Sequence, residues 1–254
     1  MRHQKKTTAA ALVVLLTLVF AVSTQAGERK RLSFELEAGP VWQSKNDVRI
    51  PGNKGTEFSF KDMTGEGPYA AGRFTFVWDF KERHGLRFIA APLRVEGTGT
   101  LTQPVSFAGG NFAAGVSTKG KYKFDTYRLG YRWLFYDKNA LQLRGGATLL
   151  LRDAEIKLEQ TGVTATDSNV GVAPLLNFTA DWAFANRWTA TVDVEGLAGG
   201  PGRALDLALK VRYDLTDNWS VGGGYRTLEG GVDTDDVYNF SWFNYVFASV
   251  GYRF

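Results

Sequence analysis

Apolar and polar residues alternate with a period of two along almost the whole chain after residue 31. From Ala140 to Arg152 the odd positions are Leu141, Leu143, Gly145, Ala147, Leu149 and Leu151, while the even positions include Gln142, Arg144, Thr148 and Arg152. The segment before it puts Tyr127, Leu129, Tyr131, Trp133 and Phe135 on one face and Arg128, Gly130 and Arg132 on the other. Successive side chains of a strand point to opposite sides, so this spacing predicts strands with one greasy face. The same reading predicts ten strands, at about 32–43, 68–80, 84–97, 120–136, 140–156, 169–184, 187–198, 203–214, 218–229 and 239–254. The third is irregular. Leu86, Phe88 and Ala90 share one parity and Leu93 and Val95 the other, so a bulge at Ala91–Pro92 is expected to restore the face, because proline in a strand favours such a place.

The connections alternate in length. Short turns at 80–84, 136–140, 184–187 and 214–218 interleave with the connections 44–67, 98–119, 157–168, 199–202 and 230–238, most of them longer. In strand two and in strands four to ten, the apolar register holds no Asp, Glu, Lys or Arg within its span, and Asn244 is its one clearly polar member. All seven tryptophans fall near strand ends: Trp78, Trp133, Trp182, Trp188 and Trp219 beside the short turns, Trp42 and Trp242 at the far ends of the first and last strands. Indole has a flat apolar body and one N–H donor, so it settles where hydrocarbon meets wet headgroups. A soluble sandwich also alternates, but two aromatic belts, long strands and a chain ending on Phe254 favour an all-β, closed, antiparallel up-and-down transmembrane β-barrel of ten strands. With an even strand count, both termini are expected on the short-turn, periplasmic side.

Residues 1–26 read as a secretory signal peptide: Arg2, Lys5 and Lys6, then the apolar run 9–22, then small residues before a cut after Ala26. Residues 27–254 then form one barrel domain. The formal charge of +4 falls to +1 without the leader, and no dense Lys/Arg patch with interleaved aromatics remains, so nucleic acid is not an expected partner. There is no cysteine, so stability must come from burial and backbone ladders.

The last residues, Phe247-Ala-Ser-Val-Gly-Tyr-Arg-Phe254, resemble the C-terminal assembly signal of small bacterial outer-membrane barrels of eight to twelve strands. Val250, Tyr252 and Phe254 match its alternate hydrophobics and terminal aromatic; Ser249 stands where glycine is usual. The resemblance implies a monomer in a Gram-negative outer membrane, handled by periplasmic chaperones and the barrel-assembly machinery, with membrane lipid and lipopolysaccharide as neighbours.

Some barrels of this kind are proteases or lipid-modifying enzymes that use histidine. The chain after the leader has one, His84, in the first short turn, where a solvated role is expected and catalysis is not. The polar face instead carries a charge network. Arg73, Arg128, Arg132, Arg144 and Arg152 come from strands two to five, and Glu35, Glu37, Asp181, Asp193, Glu195 and Asp206 from strands one, six, seven and eight; Lys210, Arg212 and Arg226 lie further on. These charges predict either ion pairs filling a narrow lumen or a pore with opposed Arg and acidic walls. Phe243, Tyr245 and Phe247 are expected inside, beside Ser220, Gly222 and Gly224 of the neighbouring strand. The GGPGR run at 199–203 reads as a tight turn. Asp233, Asp235 and Asp236 lack the spacing of a full calcium loop, and neither metal nor cofactor is expected. Loop 98–119, with Phe107 and Phe112, either folds back into the barrel, adds a hairpin or contacts lipopolysaccharide. The expected function is a non-enzymatic barrel with an occluded or narrow lumen and a structural or surface role. A small-solute channel is the alternative, and a barrel enzyme a third.

Overall fold

The computed structural model describes residues 31–200 and 202–254; the leader expected at 1–26 lies outside the described residues. Its elements are β1 (Leu32–Arg49), β2 (Phe58–Ser59), α1 (Phe60–Thr64), β3 (Tyr69–Lys81), β4 (His84–Ala91), β5 (Arg94–Thr100), β6 (Val105–Phe107), β7 (Gly110–Phe112), β8 (Ser117–Lys138), β9 (Leu141–Gln160), β10 (Val163–Ala185), β11 (Trp188–Gly199), β12 (Gly202–Asp214), β13 (Trp219–Asp233) and β14 (Tyr238–Arg253). Each wall strand pairs antiparallel with its neighbours, and β14 pairs with β1, with Phe34 opposite Tyr252, to close the sheet. With β4 and β5 taken as one interrupted strand, the wall is a ten-stranded up-and-down barrel. Closure leaves no ladder open at the seam, and the Phe254 N–H adds a bond to the Leu32 carbonyl at 2.9 Å.

The bulge expected at Ala91–Pro92 is not there. β4 and β5 meet β8 in one continuous register, Ala91 opposite Thr126 and Arg94 opposite Lys123. Parity is kept, and Leu93 and Val95 point inward, buried. What changes is the meaning of each face. Toward the turns, the outward face of β8 and β9 is Tyr127, Leu129, Tyr131, Trp133, Leu149 and Leu151, and the inward face holds Arg128, Arg144 and Thr148. Toward the loops, the outward positions are Lys119, Lys121, Lys123, Asp153, Lys157 and Glu159, while Tyr122, Ile156 and Leu158 are buried inside. The barrel is therefore greasy outside and ionic inside at its turn end, and the reverse at its loop end.

The same inversion lengthens the strands. The expected loop at 157–168 is mostly ladder, continuing β9 and β10 to Gln160 opposite Val163 around a tight turn at Thr161 and Gly162. An outer face made of Lys and Glu still pairs its backbone, but it gives no apolar alternation to read.

The loop-end interior is a dry core. Phe60 and Met63 of α1, Phe107 and Phe112 of the β6–β7 hairpin, and Val41, Val95, Tyr122, Leu158 and Phe243 of the wall pack together. Loop 98–119 thus folds back into the barrel, as a separate two-stranded ladder rather than as extra wall. Helix α1 is capped by the Ser59 hydroxyl, which accepts from the Asp62 N–H at 3.1 Å. Its docking needs wall positions without side chains. A Cβ at Gly99 would lie 1.9 Å from the Met63 carbonyl oxygen, and one at Gly120 would lie 2.4 Å from the Met63 methyl.

Candidate functional site

Below the dry core, the inward positions of seven strands converge on an ionic layer. Asp206 is its hub: Arg226 Nη1 reaches Oδ1 at 2.6 Å, and Arg73 and Arg128 reach Oδ2 at 3.0 and 2.7 Å. Arg226 also holds Glu37 at 2.9 Å. Arg128 bridges to Glu195 at 2.6 Å, and Arg87 binds both Glu195 and Asp193 at 2.6 and 2.8 Å. Four guanidinium groups thus meet four carboxylates, and the layer is neutral. All eight side chains but Asp193 are almost fully buried. Thr148 and Thr179 donate to Glu195 and Asp193 at 2.9 and 2.8 Å, and Asn177 donates to Thr148 at 3.0 Å. Buried ions are costly unless paired and hydrogen-bonded; here Asp206 has three cations, Glu195 two cations and a hydroxyl, Asp193 one of each, and Glu37 accepts two bonds from the Arg226 guanidinium.

Toward the turns, the lumen opens into a vestibule of about 550 Å³ lined by Glu35, Arg132, Arg144, Asp181, Lys210 and Arg212 among others. Lys210 pairs with Glu35 at 2.5 Å, Arg144 with Asp181 at 2.8 Å, and Arg212 with Asp214 at 3.3 Å. Toward the loops, a second cavity of about 440 Å³ lies beside the dry core, lined by Arg128, Arg152, Glu195 and Asp206 with a larger apolar share.

All fourteen expected lumen residues therefore face inward, but not as two opposed walls. Glu37, Arg73, Arg128, Asp193, Glu195, Asp206 and Arg226 form the layer, and Glu35, Arg144, Asp181, Lys210 and Arg212 pair in the vestibule. Arg132 and Arg152 have no carboxylate partner among the described residues, and both leave a buried Nε without a hydrogen bond. Sequence reasoning missed Arg87. It shares the inward parity with Gly85 and Ile89, opposite Leu86 and Phe88, so the alternation on its own side of Pro92 was the signal that could have found it. Large rings do point inward from β14: Phe243 and Phe247 are buried, and a Cβ at Gly224 would lie 3.0 Å from the Phe247 ring.

Outside, Trp78, Trp133, Trp182, Trp188, Trp219 and Trp242 are exposed and Trp42 is half-buried. Trp242 donates to Thr227 at 2.6 Å, and Asn244 is satisfied by Ser44, Thr227 and Tyr225. Val250, Tyr252 and Phe254 lie on the outward face, where Phe254 packs on Tyr252 and Phe34 with ring centroids at 4.8 and 6.1 Å. His84 is not simply solvated: its Nδ1 lies 2.6 Å from the Tyr131 hydroxyl, between the Phe80 and Tyr131 rings. No cluster of His, Cys, Asp and Glu suited to a metal occurs among the described residues.

No protein-family model matches the chain, and no curated protein matches it in sequence. Solved structures do. The outer membrane protease OmpT from Escherichia coli is similar with a TM-score of 0.55 at 10% identity, over 91% of this chain and 99% of that one. The chain has the fold of the small bacterial outer-membrane β-barrels. Ail, the attachment invasion locus protein of Yersinia pestis, is more distant, with a TM-score of 0.41 at 12% identity over 88% of this barrel and 99% of its own chain. At such identities the likeness concerns the fold, while function must be argued from the site.

Proposed function

We propose that this barrel resides in a Gram-negative outer membrane as a non-enzymatic structural or surface-interaction protein with an occluded lumen. One observation carries the reading: two unlike seals lie in series across the lumen, the neutral ionic layer around Asp206 and the dry core built on Phe60, Phe107 and Phe112. The outward apolar band supports membrane residence, since a lipid-facing Arg or Lys at mid-depth would cost roughly 2–4 kcal/mol. The tryptophans flanking that band suit the two interfaces. The leader and the short turns support periplasmic termini, with the charged loop-end strands outside the cell. There Arg94, Lys119, Lys121 and Lys123 stand just beyond the band and suit lipopolysaccharide phosphates. The one histidine after the leader stands on the outer surface beside Tyr131, away from the lumen carboxylates, which supports a role without histidine-based hydrolysis.

A small-solute channel is the second reading, favoured by the polar vestibule below the layer and the open space above it. Single-channel recording in a planar bilayer separates the two. The occluded reading expects no steady conductance. A steady current that changes when Arg128 or Arg132 is neutralised would establish the channel instead.

A further inference from the structure

The wall is not complete. β10 pairs with β11 only from Leu176, opposite Gly196, down toward the turn, although β10 begins at Val163 and β11 continues to Gly199. On its other side β10 stays paired with β9 throughout. Continued upward, that register would set 173–175 of β10 against Leu197–Gly199, but no ladder forms there, and Pro174 has no N–H to offer. The level is informative. Val170, Val172 and Leu176 on β10 and Leu205 on β12 are exposed and apolar, whereas Asp153, opposite Val170, begins the charged outer face. The break thus lies at the upper edge of the greasy band. Backbone groups left unpaired in hydrocarbon are costly, so this edge needs water or a ligand.

The 440 Å³ cavity opens at this break. Its lining includes inward residues, among them Leu150, Ala173 and Leu197, and also outward residues of the same wall, Val172, Pro174 and Leu205. That mixture describes a passage from lumen to lipid. Its volume falls within the ~300–1,000 Å³ typical of small-molecule sites. Its floor, the ionic layer, is neutral. Arg203 and Glu229 in its lining pair with each other at 2.7 Å, so among the described residues the lining charge without an opposite partner is Arg152, whose Nη2 donates to the Asn169 amide oxygen at 2.7 Å and whose Nε is buried and unpartnered. Gly171 makes room for it, since a Cβ there would lie 3.0 Å from Nη2.

We infer that the break between β10 and β11 is a lateral portal to a binding site for a single-chain anionic lipid of the outer leaflet. The acyl chain lies among Leu150, Ala173, Leu175 and Leu197, and the acidic head meets Arg152 where the greasy band ends. The site needs the barrel to lie in a membrane, but not to be closed to ions, so a conductance result leaves it untouched.

Native mass spectrometry of the full barrel released from nonionic detergent tests this, with dodecanoate, dodecyl phosphate, dodecanol and dodecyltrimethylammonium as probes. One dodecanoate or dodecyl phosphate should stay bound per barrel, in preference to the neutral and cationic chains. Arg152→Gln should lower retention of the two anions about tenfold, the worth of one charge-assisted hydrogen bond, and leave dodecanol unchanged. Ala173→Trp should abolish retention of all four; if that variant fails to fold, Leu197→Trp on the opposite lip serves. Equal retention of every head group, or anion retention indifferent to Arg152→Gln, would overturn the inference.

Discussion

Arg226 and Asp206 face each other from adjacent strands at 2.6 Å, yet the pair is not self-contained, because Arg73 and Arg128 share the other Asp206 oxygen. One carboxylate therefore holds three buried guanidinium groups together. Asp206→Asn removes the charge and keeps the shape. Stranding buried cations in this way should destabilise the barrel by about 3–5 kcal/mol. Urea unfolding of the refolded protein in micelles measures it as a fall in midpoint. Adding Arg73→Met to Asp206→Asn should recover part of the loss. An unchanged midpoint for Asp206→Asn would mean that hydration, and not pairing with Asp206, accommodates these cations.

Leu149 and Lys157 lie on the same strand and the same outward face, on either side of the level where the surface turns from greasy to charged. Leu149→Arg should impair folding into lipid vesicles, at roughly 2–4 kcal/mol if it sits near mid-depth. Lys157→Leu should fold as well as the parent, because its side chain lies beyond the band and its loss opens no cavity. Equal tolerance of both changes would show that the exposed leucines do not meet hydrocarbon.

That level also explains what was legible in the sequence. Strand number, parity, closure and the inward placement of Arg128, Asp193 and Asp206 follow from period-two patterning, which depends only on strand geometry. The bulge at Pro92 was inferred wrongly because one rule, greasy side out, was applied along the whole strand. Leu93 and Val95 obey the opposite rule, lying where the exterior is charged and the interior dry. Arg87, by contrast, lies on the stretch where the greasy-side-out rule holds, opposite Leu86 and Phe88, and was legible there. The ends of β9 and β10 were read as loop because alternating Lys and Glu at 157 and 159 look solvated whether or not their backbone is paired. Which arginine meets which acid depends on the register between strands distant in sequence, such as Arg73 and Asp206, and period alone does not encode it.

The two seals can be tested separately. Gly120 admits α1 to the barrel interior, and a Cβ there already meets the Met63 methyl at 2.4 Å. Gly120→Leu should expel α1 and the chain around it without breaking the wall, so 54–66 should become sensitive to protease in the folded barrel. Conductance should remain closed, because the Asp206 layer persists. Closure lost in Gly120→Leu alone would assign the whole barrier to the dry core.

The seam between the first and last strands carries the final prediction. Phe254 closes it with a backbone bond to Leu32 and ring contacts to Phe34 and Tyr252. Those contacts are at the edge of the sheet and half-exposed, so Phe254→Ala should cost the finished barrel little, and urea midpoints of refolded protein should stay close to the parent. Assembly in cells should suffer far more if the terminal aromatic is read by the assembly machinery before the seam forms. The amount of heat-modifiable barrel in outer-membrane fractions, compared with total chain synthesised, separates the two effects. A several-fold fall in the assembled fraction at unchanged stability supports a recognition role for Val250, Tyr252 and Phe254. An unchanged fraction would reduce these residues to ordinary packing at the barrel seam.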